Sequence, residues 1–155
     1  MTPAIYRARH AGIAFQLHEY AHDEGAPSYG LEAAEKLSIA AERIFKTLVV
    51  KLDGKQLAVG IVPVTGQLNL KQIAKAAGAK KAAMAAPEEV ERSSGYVLGG
   101  VSPLGQKKRL VTFIDHSADA FATVYVSAGR RGLEIELAPN DLATLCQATF
   151  VPLAT

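Results

Sequence analysis

The sequence is poor in cysteine, because Cys146 is the only one among 155 residues. A single thiol excludes an internal disulfide and a zinc site built on cysteines. Cys146 lies in the segment DLATLCQAT, whose pattern is typical of a helix. We therefore expect a small buried apolar residue at this position rather than a nucleophile.

Net charge and long apolar runs are also scarce. The formal net charge is only +2, so any contact with nucleic acid must come from local basic clusters. No apolar run reaches the length of a membrane span. Arg7 and Arg9 interrupt the first segment, which excludes a signal peptide there. The sequence therefore predicts a cytoplasmic protein without membrane contact.

What the sequence does contain is ordinary for one globular domain. Apolar residues make up 49% and charged residues 21% of the chain, values typical of globular proteins. A length of 155 residues suits a single domain over 1–155. We find no internal repeat, low-complexity segment or linker.

Helix signals occur at five places. A capping side chain or a proline begins each predicted helix, and glycine ends several of them. The chain also breaks at Gly25 and Pro27, two residues that disfavour regular structure. The predicted helices begin at Thr2-Pro3, Ser28, Asn69, Pro87 and Asn140.

Strand signals lie between the helices. The segment IAFQLHEY alternates, which places Ile13, Phe15 and Leu17 on one face. FKTLVVKL and KQLAVGIVPV flank Asp53-Gly54, which suits a type I′ hairpin turn. LVTFID, ATVYVSAG and GLEIELA are further predicted strands. Because helices and strands alternate without a regular rhythm, we predict an α+β fold with a mixed, partly barrel-like sheet.

The segment HEYAH, residues 18–22, matches the zinc pattern H-E-x-x-H. That pattern requires a helix, so that both imidazoles lie one turn apart. Here the context is a strand, in which His18 and His22 stand about 13 Å apart along the chain. We therefore predict two partly exposed strand residues and no metal site.

A second motif, GVSPLGQK, resembles a phosphate-binding loop but lacks its key residues. Gly105 is followed by Gln106 and Lys107, with no hydroxyl for magnesium. The segment after it has a strand pattern rather than the helix whose N-terminus would face a phosphate. These departures argue against a nucleotide hydrolase.

Two features remain that could take part in catalysis or binding. Lys46 shares a strand face with apolar residues, which is unusual for lysine, although it could also extend from the strand end to water. The amides of Gly99 and Gly100, in a glycine-rich loop, could bind a carbonyl oxygen or a developing oxyanion. Alternatively, the loop needs glycine only for its dihedral angles.

Basic residues fall into three short runs, Lys80-Lys81, Lys107-Lys108-Arg109 and Arg130-Arg131. If the fold gathers them, they form a phosphate-binding face; otherwise they are three solvated loops. No serine, histidine and acid arrangement is visible. The residues alone thus predict an α+β domain with a glycine-rich pocket loop and a strand lysine, but no substrate.

Long segments of the chain resemble the YbaK/EbsC family. The resemblance is carried by FKTLVV, AGAKKAAMA, RSSGYVLGGVSPLGQKKRL and ATVYVSAGRRGLEIEL, and it covers nearly the whole chain. It implies a mixed, partly barrel-like sheet with surrounding helices, related to the inserted editing domain of bacterial prolyl-tRNA synthetases. It also implies hydrolysis of mischarged Cys-tRNA(Pro), in partnership with prolyl-tRNA synthetase and without a cofactor or metal.

The resemblance further implies which residues act. Lys46 and the loop glycines Gly99 and Gly100 would be catalytic, while the cysteinyl thiol attacks its own carbonyl and leaves as a thiolactone. Where the family is expected to carry aspartate, this chain has Glu134, one methylene longer. The implied pocket residues are Tyr20, Tyr29, Thr47, Tyr96, Ser102, Pro103, Ser127 and Glu134. The expected contacts to the tRNA(Pro) acceptor end are Lys80, Lys81, Lys107, Lys108, Arg109, Arg130 and Arg131.

Two other functions stay open at this point. One is a related trans-editing enzyme that removes alanine, which would need a water or ribose hydroxyl as its nucleophile. The other is a non-catalytic module that binds tRNA or the synthetase. Lys46 and the loop from Gly99 to Pro103 favour an enzyme.

Overall fold

The structure is a computed structural model that describes residues 1–25 and 28–155. The break predicted at Pro27 lies outside the described residues. The α+β class is confirmed, with helices and strands interspersed along the chain. The helices are α1 Pro3–Ala11, α2 Tyr29–Leu37, α3 Leu70–Ala77, α4 Pro87–Ser94 and α5 Pro139–Cys146. The strands are β1 Phe15–Glu19, β2 Phe45–Leu52, β3 Gln56–Pro63, β4 Ala82–Met84, β5 Val111–Asp115, β6 Val124–Arg130, β7 Leu133–Leu137 and β8 Thr149–Val151.

Local capping explains where most helices begin. The side chains of Thr2, Ser28 and Asn69 each accept a hydrogen bond from the amide three residues further on, as predicted. The prediction that Asn140 caps α5 is wrong. That helix begins at Pro139, with Ala138 as its cap, because proline suits the first helical position and needs no hydrogen-bond acceptor there. No helix in the described chain is long and apolar enough to cross a membrane.

The strands form two sheets. A three-stranded antiparallel sheet has the order β1-β7-β6, and a five-stranded mixed sheet has the order β4-β2-β3-β5-β8. The turn between β2 and β3 has positive φ at Asp53 and Gly54, as the predicted type I′ turn requires. A parallel bridge between Ile44 and Tyr125 links the sheets. The mixed sheet is confirmed, and the described strands do not close into a barrel.

The five-stranded sheet has packed side chains on both faces. Phe45 and Val49 of β2 belong to the main core, which includes α1 and the three-stranded sheet. Val50 and Leu52 belong to a second core under α3, and Leu48 packs against it. Lys46 lies on that second face, at the start of β2. The edge strand β1 departs from its pattern, because Leu17 is 37% exposed.

A buried carboxylate, Asp115, fixes the last residues described. Its oxygens accept hydrogen bonds from the amides of Leu153 and Ala154 at 2.8 and 2.9 Å, and from Ser117. Burial alone would raise the pKa of this carboxyl. The hydrogen bonds outweigh burial and hold the pKa below its ordinary value.

We expect Asp115→Ala to lower the free energy of unfolding by about 3–5 kcal/mol, because it leaves buried amides without acceptors. Urea unfolding of both proteins at neutral pH measures this difference. Asp119→Ala, an exposed change in the adjacent turn, is the matched control and should cost less than about 0.5 kcal/mol. Equal stability of the two variants would contradict the assigned role of Asp115.

Candidate active site

An open cavity of about 500 Å³ lies at the start of β2. Its walls come from the segment after β1, from α2, from β2, from the loop between α4 and β5, and from β6 and β7. This volume lies within the range of small-ligand sites. The polar side chains that line it are Tyr20, Ser28, Tyr29, Lys46, Thr47, Ser127, Arg130, Arg131 and Glu134.

Strand β2 supplies a lysine to the cavity. Lys46 is half-buried and has no carboxylate within 4.0 Å among the described residues. The hydroxyl of Thr47 beside it is buried and has no hydrogen-bond partner within the described chain. Both groups therefore remain available to a ligand, because a buried polar group without a partner in the chain is normally satisfied by water or by another bound group.

Opposite β2, the pair β6–β7 supplies a buried acid. Glu134 lies directly across from Ser127 in the register of these strands, and it is only 8% exposed. Burial raises the pKa of Glu134 to about 8, so the carboxyl is largely neutral at pH 7. A cationic group that enters the cavity would favour its ionised form.

Tyr20 lies beside this acid, just after β1. Burial, with the charges of Glu134 and Glu32, raises the pKa of its phenol to about 12. The phenol is therefore a neutral hydrogen-bond donor at physiological pH. It reaches the carbonyl of Tyr29 at 3.5 Å, which is a long contact that a ligand could replace.

A stacked pair forms the wall next to Tyr20. The guanidinium carbon of Arg131 lies 4.0 Å from the ring centroid of Tyr29, within cation–π range. The same guanidinium is held by Glu32 at 3.3 Å and by the carbonyl of Asp23 at 3.0 Å. Tyr29 remains 47% exposed, so its ring can stack with a ligand.

The glycine-rich loop places only one of its two predicted amide donors at the cavity. Gly99 lines the cavity with a positive φ of 90°, and a Cβ there would lie 3.1 Å from the Tyr29 ring. Gly100 is buried behind it, where a Cβ would lie 2.8 Å from the Cα of Arg130. The amide of Gly100 donates to the carbonyl of Val97. The structure therefore favours Gly99 and not Gly100 as a donor to substrate.

Three further residues predicted to bind substrate do not line the cavity. Tyr96 is buried and donates to the carbonyl of Leu104 at 2.6 Å. Ser102 is also buried and accepts from the Leu104 amide, while the Pro103 carbonyl accepts from Cys146 Sγ at 3.4 Å. These contacts hold the loop from behind, so the three residues support the site rather than face it.

The fold separates the three basic runs. Arg130 and Arg131 line the cavity, where Arg130 also pairs with Glu19 at 3.0 Å. The amides of Lys80 and Lys81 bind Asp53, which follows β2 at its other end, about 20 Å from Lys46. Lys108 and Arg109 line a separate recess. A single basic face built from all three runs is therefore not formed.

The predicted strand context of HEYAH is confirmed for His18 and is wrong for His22, because β1 ends at Glu19. His18 lies in β1, and its Nε2 is 2.9 Å from the Glu136 carboxylate. His22 is exposed and follows the strand. No group of three His, Cys, Asp or Glu side chains within residues 1–25 and 28–155 could hold a metal ion.

Sequence reasoning missed the apolar part of the cavity wall. Val64, Met84 and Leu98 line it, and Met84 and Leu98 are about half exposed. One signal was available for Leu98. Together with Val97 it forms a bulky apolar pair inside a glycine-rich loop, where exposed apolar residues are typical of a binding surface.

The fold and cavity define an α+β domain with an open pocket that combines a lysine, a buried carboxyl and a glycine loop. The chain belongs to the aminoacyl-tRNA editing domain family, which matches residues 24–145. The EbsC protein of Enterococcus faecalis, by name a candidate Cys-tRNA(Pro)/Cys-tRNA(Cys) deacylase, is 36% identical over 154 residues. That match covers 99% of this chain and 93% of EbsC. The resemblance to the YbaK/EbsC family is thereby confirmed.

Two other comparisons agree with this placement. The proline–tRNA ligase of Geobacillus kaustophilus is 28% identical over 101 residues, which are 65% of this chain and 18% of the ligase. The crystal structure of a candidate trans-editing enzyme for prolyl-tRNA synthetase superposes with a TM-score of 0.85 at 22% identity. It covers 100% of this chain and 99% of the other, which shows a shared fold.

Proposed function

We propose that this protein edits in trans by hydrolysing the ester of mischarged Cys-tRNA(Pro). The observation that carries the proposal is the cavity itself, which holds Lys46, Glu134 and the Gly99 amide together. The name of the similar EbsC protein, a candidate Cys-tRNA(Pro)/Cys-tRNA(Cys) deacylase, supports the choice of substrate. Cysteine is close to proline in size, so a pocket that judges size alone discriminates poorly and leaves a need for editing.

Most polar groups of the cavity then have a role. Lys46 binds a phosphate or ribose oxygen of the tRNA end. Glu134 accepts a hydrogen bond from the α-ammonium group of the amino acid and ionises as that group enters. The Gly99 amide polarises the ester carbonyl. Tyr20 and Ser127 position the aminoacyl group, and Thr47 donates to its oxygen atoms.

The chemical step uses the substrate rather than a protein nucleophile. The cysteinyl sulfur attacks its own carbonyl carbon, the bond from that carbon to the ribose oxygen breaks, and the thiol proton passes to the ribose oxygen. The products are free tRNA and a cyclic thiolactone, which water then opens to cysteine. The enzyme contributes orientation and stabilisation of the developing oxyanion. No metal or cofactor is part of this proposal.

The terminal adenosine is expected to stack on the exposed ring of Tyr29, with Arg131 behind it. Base–aromatic stacking of this kind contributes about 1–3 kcal/mol per base. The partners in this proposal are the acceptor end of tRNA(Pro) and prolyl-tRNA synthetase, in the cytoplasm. The similarity to a proline–tRNA ligase over 101 residues supports this pairing.

Deacylation of Cys-tRNA(Pro), Ser-tRNA(Pro) and Ala-tRNA(Pro), measured side by side with a chelator present, tests the function. We expect rapid loss of cysteine alone, because serine offers a poorer nucleophile in the same shape and alanine offers none. Loss of alanine from Ala-tRNA(Pro) would instead indicate the related trans-editing enzyme that removes alanine. If no substrate were cleaved while tRNA still bound, the binding-module alternative would replace our proposal.

A further inference from the structure

A second concave region lies beside the glycine-rich loop, outside the cavity. It is a recess of about 170 Å³ between α1, the end of the loop and α5. It adjoins a shallower concavity that shares Arg7 and Gly105 with it. Arg7, Lys108 and Arg109 line the recess and converge there from α1 and from the segment before β5.

The recess is positively charged without compensation. No aspartate or glutamate lines it, and none of its three cations lies within 4.0 Å of a carboxylate among the residues described. By contrast, Lys51 and Arg131 each pair with a glutamate.

The thiol of Cys146, also in the recess wall, adds no negative charge. Burial raises the pKa of this thiol to about 12, so it stays neutral. A small concave site with three unpaired cations and no acid favours a phosphate group.

The position of the recess suggests which phosphates it meets. Val101 lines the cavity and Pro103 lines the recess, so the two walls come within about 7 Å along the chain. Successive phosphates of one strand are about 3.4 Å apart along the axis of double-stranded DNA and further apart in an extended single strand, so one or two nucleotides span this distance. Nucleotides that precede the esterified one therefore pass within reach of the recess.

We propose that Arg7, Lys108 and Arg109 form a binding site for the sugar-phosphate strand that leads to the esterified nucleotide. This inference rests on the proposed function, which provides the tRNA end in the cavity. Lys80 and Lys81, at the far end of β2, take no part in the site.

The test compares two substrates that share a terminal nucleoside. A cysteinylated acceptor-stem microhelix reaches the recess, whereas cysteinyl-adenosine reaches only the cavity. We expect the triple variant R7Q/K108Q/R109Q to raise the ratio of KM(microhelix) to KM(cysteinyl-adenosine) by about tenfold or more. It should also lower the slope of log KM against log salt for the microhelix by about 2 to 3.

The matched control removes the same charge elsewhere. K55Q/K71Q/K75Q changes three exposed lysines that line neither concave region, and it should leave the KM ratio unchanged. If R7Q/K108Q/R109Q fails to fold, K108E/R109E replaces it, since both of those side chains are exposed. An unchanged ratio, or an equal rise in KM for both substrates, would overturn the proposal.

Two further arms separate this inference from its alternatives. If the wild type cleaves neither substrate, the proposed function fails. Binding of the uncharged microhelix then tests the proposed site in the recess. Weaker binding by the triple variant supports the site, and equal binding overturns it.

Calorimetry with inorganic phosphate is the second additional experiment. Phosphate binding that the triple variant loses, with microhelix binding unchanged, would assign the recess to free phosphate and overturn our proposal.

Discussion

Lys46→Ala is expected to lower kcat/KM for Cys-tRNA(Pro) by about 100-fold or more, with little change in Tm. The lysine is half-buried in the cavity wall and has no carboxylate partner among the described residues. Its charge is therefore not needed by the fold and is available to an anionic or polar oxygen of the tRNA end. Loss of one partner from a desolvated, charged hydrogen bond costs about 2–5 kcal/mol, which corresponds to this fall in rate.

Lys51 provides the matched control on the same strand. It pairs with Glu89 at 2.6 Å and does not line the cavity, so Lys51→Ala should keep deacylation within about threefold of wild type. Lys46→Arg, which retains charge but changes shape, should retain more activity than Lys46→Ala. A well-folded, fully active Lys46→Ala protein would refute the assigned role of this lysine.

Glu134→Gln is expected to make the protein more stable and less active. Because burial raises the folded-state pKa of Glu134 to about 8, the folded chain binds more protons than the unfolded chain between the ordinary glutamate pKa and pH 8. The stability of the wild type therefore falls as pH rises through that window. Glutamine does not titrate, so the stabilising effect of Glu134→Gln should grow by about 2–4 kcal/mol from pH 5 to pH 8.

Thermal or urea unfolding across this pH range measures the stability effect, with Glu35→Gln, an exposed change on α2, as the control. Deacylation by Glu134→Gln should fall about tenfold or more, because the α-ammonium group loses an anionic partner. N-acetyl-cysteinyl-tRNA(Pro) lacks that cation and should be a poor substrate for the wild type. The wild type and Glu134→Gln should deacylate it at similar rates. If the difference in stability between Glu134→Gln and the wild type did not vary with pH, Glu134 would not be a neutral buried acid in the folded protein.

Local interactions made much of the fold predictable from the sequence. Thr2, Ser28 and Asn69 cap their helices through an amide three residues away, and this spacing is visible in the chain. Asn140 has the same side-chain chemistry, but Pro139 with its fixed φ starts α5 two positions earlier than a cap at Asn140 would. The strands β4 and β8 were not predicted, because three residues are too few to show an alternating pattern.

The site was predictable only in part, for a related physical reason. The resemblance to the family indicated Lys46, Tyr20 and Glu134, which come to one cavity from β2, from the segment after β1 and from β7. No periodicity in the sequence predicts that convergence. A loop motif specifies a backbone path and not which side faces the ligand, so Tyr96 and Ser102 were expected in the cavity but lie behind the loop. Arg7 was not predicted because only tertiary packing brings α1 beside Lys108.

The hydrogen bonds from the amides of Leu153 and Ala154 to Asp115 also affect how the chain folds during synthesis. The two strands β5 and β8 pair in parallel, and the backbone of Gln67 bonds to Thr155 in both directions. Until residues 149–155 have left the ribosome, Asp115 lacks the amides of Leu153 and Ala154 and keeps only its hydrogen bonds from Ser117. The five-stranded sheet then also lacks its edge strand β8. At about 5–20 residues per second, a nascent chain therefore spends seconds with that sheet unfinished.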